Sequence, residues 1–226
     1  MKRMRIQGIA AALALSGFAA FPAMSQTFTT IDISKKANFT WTGQETDPTG
    51  PSGIYFPGGP SGQVTLGGIP FNIRSNKQGF QAWNAYTASG GSGSKPENLK
   101  ITTSIAGATT VYALINTSWG LGGTMSDSKL IFTDAAGDIF RKALKANTDI
   151  RGWCCTGSIN GTTTVNVYSE ANSFLNLGPG YLDMQKIVLP RKFAKSTLTM
   201  ITLSDHGASN VQRTILDGLT VQTAPR

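Results

Sequence analysis

Charge is scarce in this chain, histidine is nearly absent and cysteine occurs only twice. Of its 226 residues 14% are Asp, Glu, Lys or Arg, the single histidine is His206, and the two cysteines, Cys154 and Cys155, are adjacent. Low charge combined with 11 Phe, 5 Tyr and 4 Trp is the reverse of the bias of disordered proteins, so a packed fold is expected. With one histidine and no Cys-x-x-Cys, zinc sites built from those residues are not expected. There is no His-Glu-x-x-His, no phosphate loop and no Gly-x-Ser-x-Gly elbow. Ser204-Asp205-His206 contains the residue types of a hydrolytic triad, but a triad needs side chains converging from separated positions. Neighbours along a strand end point apart, and His206 reads as a turn residue. No catalytic residue is therefore assigned. Long apolar runs are missing too: none reaches the roughly 20 residues needed to span a bilayer.

What is present begins with a leader. Lys2, Arg3 and Arg5 precede an apolar run from Ile9 to Phe21 and a small-residue exit at Ala23-Met24-Ser25, the layout of a secretory signal peptide. Cleavage after Ser25 and a secreted or periplasmic product are expected, with residues 26–226 as a single domain. That cleavage takes three of the 20 basic residues and none of the 12 acidic ones, leaving 17 against 12, a net charge of +5. The dense basic spots, Arg141 to Lys145 and Arg191 to Lys195, read as solvated edges or loops that deter sheet-to-sheet association. Without a nucleic-acid motif they imply no such partner.

The dominant pattern after the leader is period two. In Lys100 to Ile105 the apolar side chains fall at 101 and 105 and the polar ones at 100, 102 and 104; Thr164 to Tyr168 repeats the pattern, and each reads as a strand with one wet face. Val111 to Ile115 is apolar on both faces, as a central strand covered on both sides would be. Further strands are expected over Thr27 to Ile33, Val64 to Ile73, Leu130 to Thr133, Leu182 to Leu189, Thr197 to Leu203 and Thr214 to Val221. Gly, Pro, Asn and Asp clusters punctuate these runs with turn chemistry. Ile139 to Leu144 has a four-residue apolar spacing, but a hairpin through Ala135-Ala136-Gly137 and an outgoing strand fit it better than a helix. Many short strands with regular turns mean an all-β sandwich or barrel.

The closing succession Tyr181-Leu182-Asp183-Met184, Ile187 to Pro190, Leu198 to Asp205 and Ile215 to Val221 resembles the last strands of galactose-binding-like jelly rolls. Gly67-Gly68-Ile69-Pro70-Phe71 and Val111 to Gly120 are similar to core strands of carbohydrate-binding-module-like members. The resemblance covers roughly Val64 to Val221 and implies a jelly-roll β-sandwich of two antiparallel sheets that binds a ligand, commonly a sugar. It is expected to depart from the usual pattern in having no catalytic domain beside the module.

Sugar sites combine flat aromatic faces with planar polar groups that give directional hydrogen bonds. Trp153, Arg151 and Asn160 lie in one loop-like stretch with such a composition, and Trp119 and Asn116 sit where a core strand runs out into a loop. Trp119 has apolar neighbours and is equally a core residue. Cys154 and Cys155 are either two reduced thiols, an intermolecular bridge or a vicinal disulfide; their Cα separation of about 3.8 Å is below the usual disulfide range, so the last would be strained and would stiffen the loop. Asp127, Asp134 and Asp138 flank a turn and are candidates for a structural Ca²⁺, no other cofactor being expected; they lack EF-hand spacing and also suit ordinary turn formation. Asn38, Asn116 and Asn160 each begin a glycosylation acceptor pattern. The expectation is a non-catalytic exported module that binds carbohydrate or another extracellular surface ligand through end loops. The alternatives are a structural or adhesive protein-contact domain, and a small glycan-active hydrolase or lyase using an unrecognised carboxylate pair.

Overall fold

A computed structural model describes residues 26–38, 59–74, 82–85, 97–118, 128–153, 161, 163–170, 179–205 and 213–225. Among these residues the secondary structure is strand, apart from one short 3₁₀ turn at Phe193–Lys195. The strands are β1 (Thr27–Ile31), β2 (Gly62–Leu66), β3 (Ile69–Ile73), β4 (Trp83–Asn84), β5 (Glu97–Ala106), β6 (Ala108–Ser118), β7 (Lys129–Asp134), β8 (Ile139–Ala143), β9 (Thr164–Glu170), β10 (Gly180–Val188), β11 (Thr197–Asp205) and β12 (Arg213–Thr223). No described helix is long and apolar enough to cross a membrane.

Two antiparallel sheets face each other. The larger runs β1-β12-β6-β10-β9, with β4 also paired to β12, and the smaller runs β5-β11-β7-β8. Successive strands change between these two sheets at β4 to β5, β5 to β6, β6 to β7, β8 to β9, β10 to β11 and β11 to β12, so the sandwich is laced together by its own connections. Period-two patterning fills the space between the sheets. Val111, Ala113 and Ile115 of β6, Leu216, Leu219 and Val221 of β12, Leu130 and Phe132 of β7, and Leu198, Ile201 and Leu203 of β11 form one buried cluster. A fully buried aliphatic side chain contributes about 1.5–3 kcal/mol, and this cluster is the main source of stability.

The opposite face of the large sheet is covered as well. Tyr112 and Leu114 of β6 and Leu182 and Met184 of β10 pack in a second cluster with Ile69, Phe71 and Ile73 of the β2–β3 hairpin. The both-face apolarity of Val111 to Ile115 thus reflects a strand buried on two sides in the middle of the sheet. The closing segment Gly218 to Val221 is paired with Leu114 to Val111 of β6, and its Leu219 to Val221 also with β1.

The run from Val64 to Ile73, expected as one strand, is two. Gly67 and Gly68 have φ of +57° and +80°, the pair of positive values that a tight two-residue hairpin turn demands. The tip of that hairpin reaches across the sheet, where a Cβ on Gly67 would lie 2.8 Å from Val167 Cγ1 and 3.1 Å from Met184 Cε. At its other end Phe71 and Ile73 lie against Gly218. The hairpin is therefore held on the sheet at both ends. The segment 135–137 forms the expected turn into β8, with Gly137 at φ +83° and Asp134 Oδ1 accepting the N–H groups of Ala136 and Asp138.

Candidate functional site

Two polar constellations stand out, one enclosed and one open. The enclosed one forms where the large sheet splits. The β6–β10 ladder runs from Val188 to Met184 and stops; beyond it the segment 151–153 wedges between the two strands. Thr117 donates its N–H to Arg151 O, Trp153 to Thr117 O, and Tyr181 to Trp153 O, at 2.9, 2.9 and 2.6 Å. The Asp183 N–H, deprived of a carbonyl on β6, is taken by Asn116 Oδ1 at 3.0 Å.

The Asp183 carboxylate sits at this split, fully buried. It accepts Arg151 Nε at 2.7 Å and Arg151 Nη2 at 2.9 Å, a bidentate pairing, together with Asn116 Nδ2 at 2.9 Å and Asn166 Nδ2 at 3.2 Å. The guanidinium also lies over the Tyr181 ring, 4.0 Å from its centroid. A buried charge is tolerated when it is paired and its remaining lone pairs are occupied, and here both conditions are met.

This node collects three of the residues expected to bind ligand: Arg151, Asn116 and Trp153. Arg151 is 8% exposed, Asn116 0% and Trp153 6%, so none presents a platform to solvent. Arg151 and Asn116 direct polar atoms at Asp183, and Trp153 uses its main chain to stitch β6 to β10. The buried Asn116 side chain is also closed to glycosylation in the folded protein. Cys154, Cys155, Asn160, Trp119 and His206 lie outside the described residues.

Of the three candidate Ca²⁺ ligands, the described Asp134 and Asp138 are each engaged by protein groups. Asp134 Oδ1 is occupied by two turn N–H groups, and its buried Oδ2 offers one oxygen without a hydrogen-bond partner. Asp138 is paired with Lys192 Nζ at 2.6 Å, which a cation would have to displace, and Asp127 lies outside the described residues. Among the described residues no three acidic, His or Cys side chains gather, against the six to eight oxygens that Ca²⁺ takes.

The open constellation lies at the mouth of the β2–β3 hairpin. A cleft of about 660 Å³ is lined by Asp32, Ser34, Lys35, Gly62, Gln63, Asn72, Ile73 and Arg74, a volume within the roughly 300–1,000 Å³ of small-molecule sites. Alternation builds one wall: Ile69, Phe71 and Ile73 turn inward, leaving Asn72 and Arg74 on the other face of β3. The hairpin register sets Gln63 directly opposite Asn72, which places two carboxamides side by side. The facing wall is the turn after β1. There the Asp32 carboxylate accepts the Ser34 N–H at 2.8 Å and ends the strand, while Lys36 and Ala37 donate to Ile33 O. Arg74 Nη1 reaches Ser34 O at 3.4 Å and links the two walls.

Asp32 titrates below the ordinary carboxylate range because the Ser34 backbone N–H and then its hydroxyl bond the charged form, outweighing the opposing effect of burial; Lys35 and Arg74 add smaller contributions in the lowering direction through space. The cleft thus holds one carboxylate, two cations, two carboxamides and a hydroxyl facing solvent. None of these residues was singled out by the sequence. The available signal was Gly67-Gly68, whose hairpin brings Gln63 to Asn72, together with the Asp-x-Ser turn signature at Asp32.

Comparison of the chain with protein-family models, curated proteins and solved structures gives no match. Any functional reading therefore stands on these two constellations.

Proposed function

We propose that this protein is a non-catalytic, exported binding module of the jelly-roll kind that recognises a carbohydrate, and that it does so in the cleft between the β2–β3 hairpin and the turn after β1. The observation that carries the reading is the contrast in how polar groups are used. At the cleft, carboxamide, carboxylate, hydroxyl and cationic groups converge on open space, a donor and acceptor set matched to a polyol. Planar groups such as the Gln63 and Asn72 carboxamides fix hydroxyl directions and so confer selectivity. The lacing of strands between two antiparallel sheets supports the sandwich part of the reading; the Gly67-Gly68-Ile69-Pro70-Phe71 segment, likened to a core strand, is the turn and second strand of a hairpin outside the two sheets.

The test is binding of the purified protein to immobilised glycans, with Asn72→Ala as the comparison. Asn72 is exposed, so its loss leaves the fold intact. Saturable binding by the wild type that Asn72→Ala abolishes supports the reading. No binding to any glycan, or binding that Asn72→Ala leaves unchanged, contradicts it.

A further inference from the structure

We propose that the outer face of the small sheet docks on a bilayer rich in anionic lipid. This surface is separate from the cleft and requires nothing of it. Alternation decides which side chains it presents. Leu99 and Ile101 of β5, Ile201 and Leu203 of β11 and Leu130 and Phe132 of β7 belong to the core, and Phe140 of β8 packs against it, so their neighbours along each strand point the other way. The registers then align Lys100, Thr202, Ile131 and Arg141 in one row across the four strands. Met200 and Ile139 fall in the next row on one side, and Lys129 in the next row on the other. Lys100, Arg141 and Ile139 are exposed; Lys129, Ile131, Thr202 and Met200 are half-buried.

Three cations therefore share these rows with no carboxylate. The aspartates of β7 and β11, Asp134 and Asp205, are buried, and Asp138, in the turn before β8, is taken by Lys192. Among the described residues none of Lys100, Lys129 and Arg141 has a hydrogen-bond or ion-pair partner for its side chain. A second copy of the chain is disfavoured as occupant, because it would set like charges against each other. A protein partner is disfavoured by size. The stretch where all four strands overlap, at about 4.8 Å between strands and about 3.4 Å per residue, covers roughly 300 Å², against about 800 Å² per partner in a stable complex. A bilayer has no minimum footprint, since each cation near anionic headgroups contributes separately. Lys100 and Arg141 stand three strand spacings apart, roughly 14 Å, with Ile131 between them and Met200 and Ile139 alongside. A soluble polyanion matches only the cations, whereas the boundary between headgroups and acyl chains takes cations and apolar side chains together.

The experiment is sedimentation of the purified exported protein with vesicles of phosphatidylglycerol and phosphatidylcholine in equal parts, and with vesicles of phosphatidylcholine alone. Binding to the anionic vesicles is expected to be at least about tenfold tighter and to fall as added salt screens the headgroups. Arg141→Gln is expected to weaken it about fivefold, and the triple variant Lys100→Gln, Lys129→Gln, Arg141→Gln about a hundredfold. Lys186→Gln, which removes an exposed cation from the large sheet, is expected to leave it within about twofold. Asn72→Ala, at the cleft, is expected to bind vesicles as the wild type does, so this proposal and the cleft reading fail separately. Equal sedimentation with both kinds of vesicle, or a folded triple variant that binds like wild type, overturns the proposal. Equal weakening by Lys186→Gln and Arg141→Gln shows diffuse attraction of a basic protein and overturns it too. Tighter binding of soluble polygalacturonate than of anionic vesicles at matched charge, lost in the triple variant, overturns the bilayer as the occupant and gives the face to an acidic polymer.

Discussion

The node at Asp183 and the cleft at Asn72 contain nearly the same chemistry, an acidic residue, an arginine and carboxamides, and use it in opposite ways. At the node every carboxylate contact is internal: buried Arg151 and Asn116, with Asn166 on the exposed side, close around the buried Asp183. At the cleft Asp32, Gln63, Asn72 and Lys35 remain exposed. Composition alone does not separate a structural ion pair from a binding site. What separates them is whether the hydrogen-bonding capacity is already used, because a buried group without a partner costs about 1–3 kcal/mol and so is rarely left waiting for a ligand.

The largest test of that contrast is at the node. Arg151→Met leaves the Asp183 charge buried beside two carboxamides and is expected to destabilise the fold by about 3–5 kcal/mol, measured by denaturant unfolding. Adding Asp183→Leu is expected to recover part of that loss, since removing both charges is far less costly than removing one. Equal stability of Arg151→Met and wild type would mean that the node is not structural.

Next in size is the hairpin that forms one wall of the cleft. Gly67→Ala places a Cβ against Val167 and Met184 at a residue with positive φ, and overpacking of this kind costs about 1–3 kcal/mol before the left-handed backbone strain is added. Unfolding midpoints should fall accordingly, and saccharide binding should weaken at temperatures where the sheets remain folded, because the hairpin carries Gln63 and Asn72. Asn72→Ala should show the opposite profile, with stability within about 0.5 kcal/mol of wild type and binding lost.

The smallest effects are in pH dependence. The Asp32 pKa is depressed in the folded state, so its contribution to stability is present above the unfolded carboxylate value and is lost as pH falls through the lower folded value. Asp32→Asn should therefore narrow its stability difference from wild type as the solution is acidified below about pH 4. Tyr168 is pushed up to about 12 by burial and by its bond to Glu170. The sign is opposite: its contribution is present below the ordinary phenol value and is lost as pH rises from about 10 toward 12. Ultraviolet titration of Tyr168→Phe should lack one late-ionising phenol.

Much of the scaffold was legible in the sequence because period-two alternation is local. Thr164 to Tyr168, Lys100 to Ile105 and the doubly apolar Val111 to Ile115 lie in β9, β5 and the central β6. The turn at Ala135 to Gly137 and the strand after it were readable for the same reason. Residues on both sides of Gly67-Gly68 alternate as one strand would, and only the two positive φ values reveal the reversal. The polar sites were less legible. Arg151, Trp153 and Asn116 do converge, but their composition says nothing of burial, which depends on where β10 leaves β6. The cleft joins residues some thirty to forty positions apart, Lys35 with Gln63 and Arg74, through a hairpin folded over the sheet, and no local pattern encodes that approach.

The most direct test is to titrate isotopically labelled protein with a soluble form of a glycan that it binds when immobilised, and to follow its backbone amides by NMR. The account predicts shifts concentrated at residues 32–35, 62–64 and 72–74, with Asn116, Arg151 and Asp183 unmoved. Shifts centred on 116, 151–153 and 183, with the hairpin and the turn after β1 silent, would contradict it.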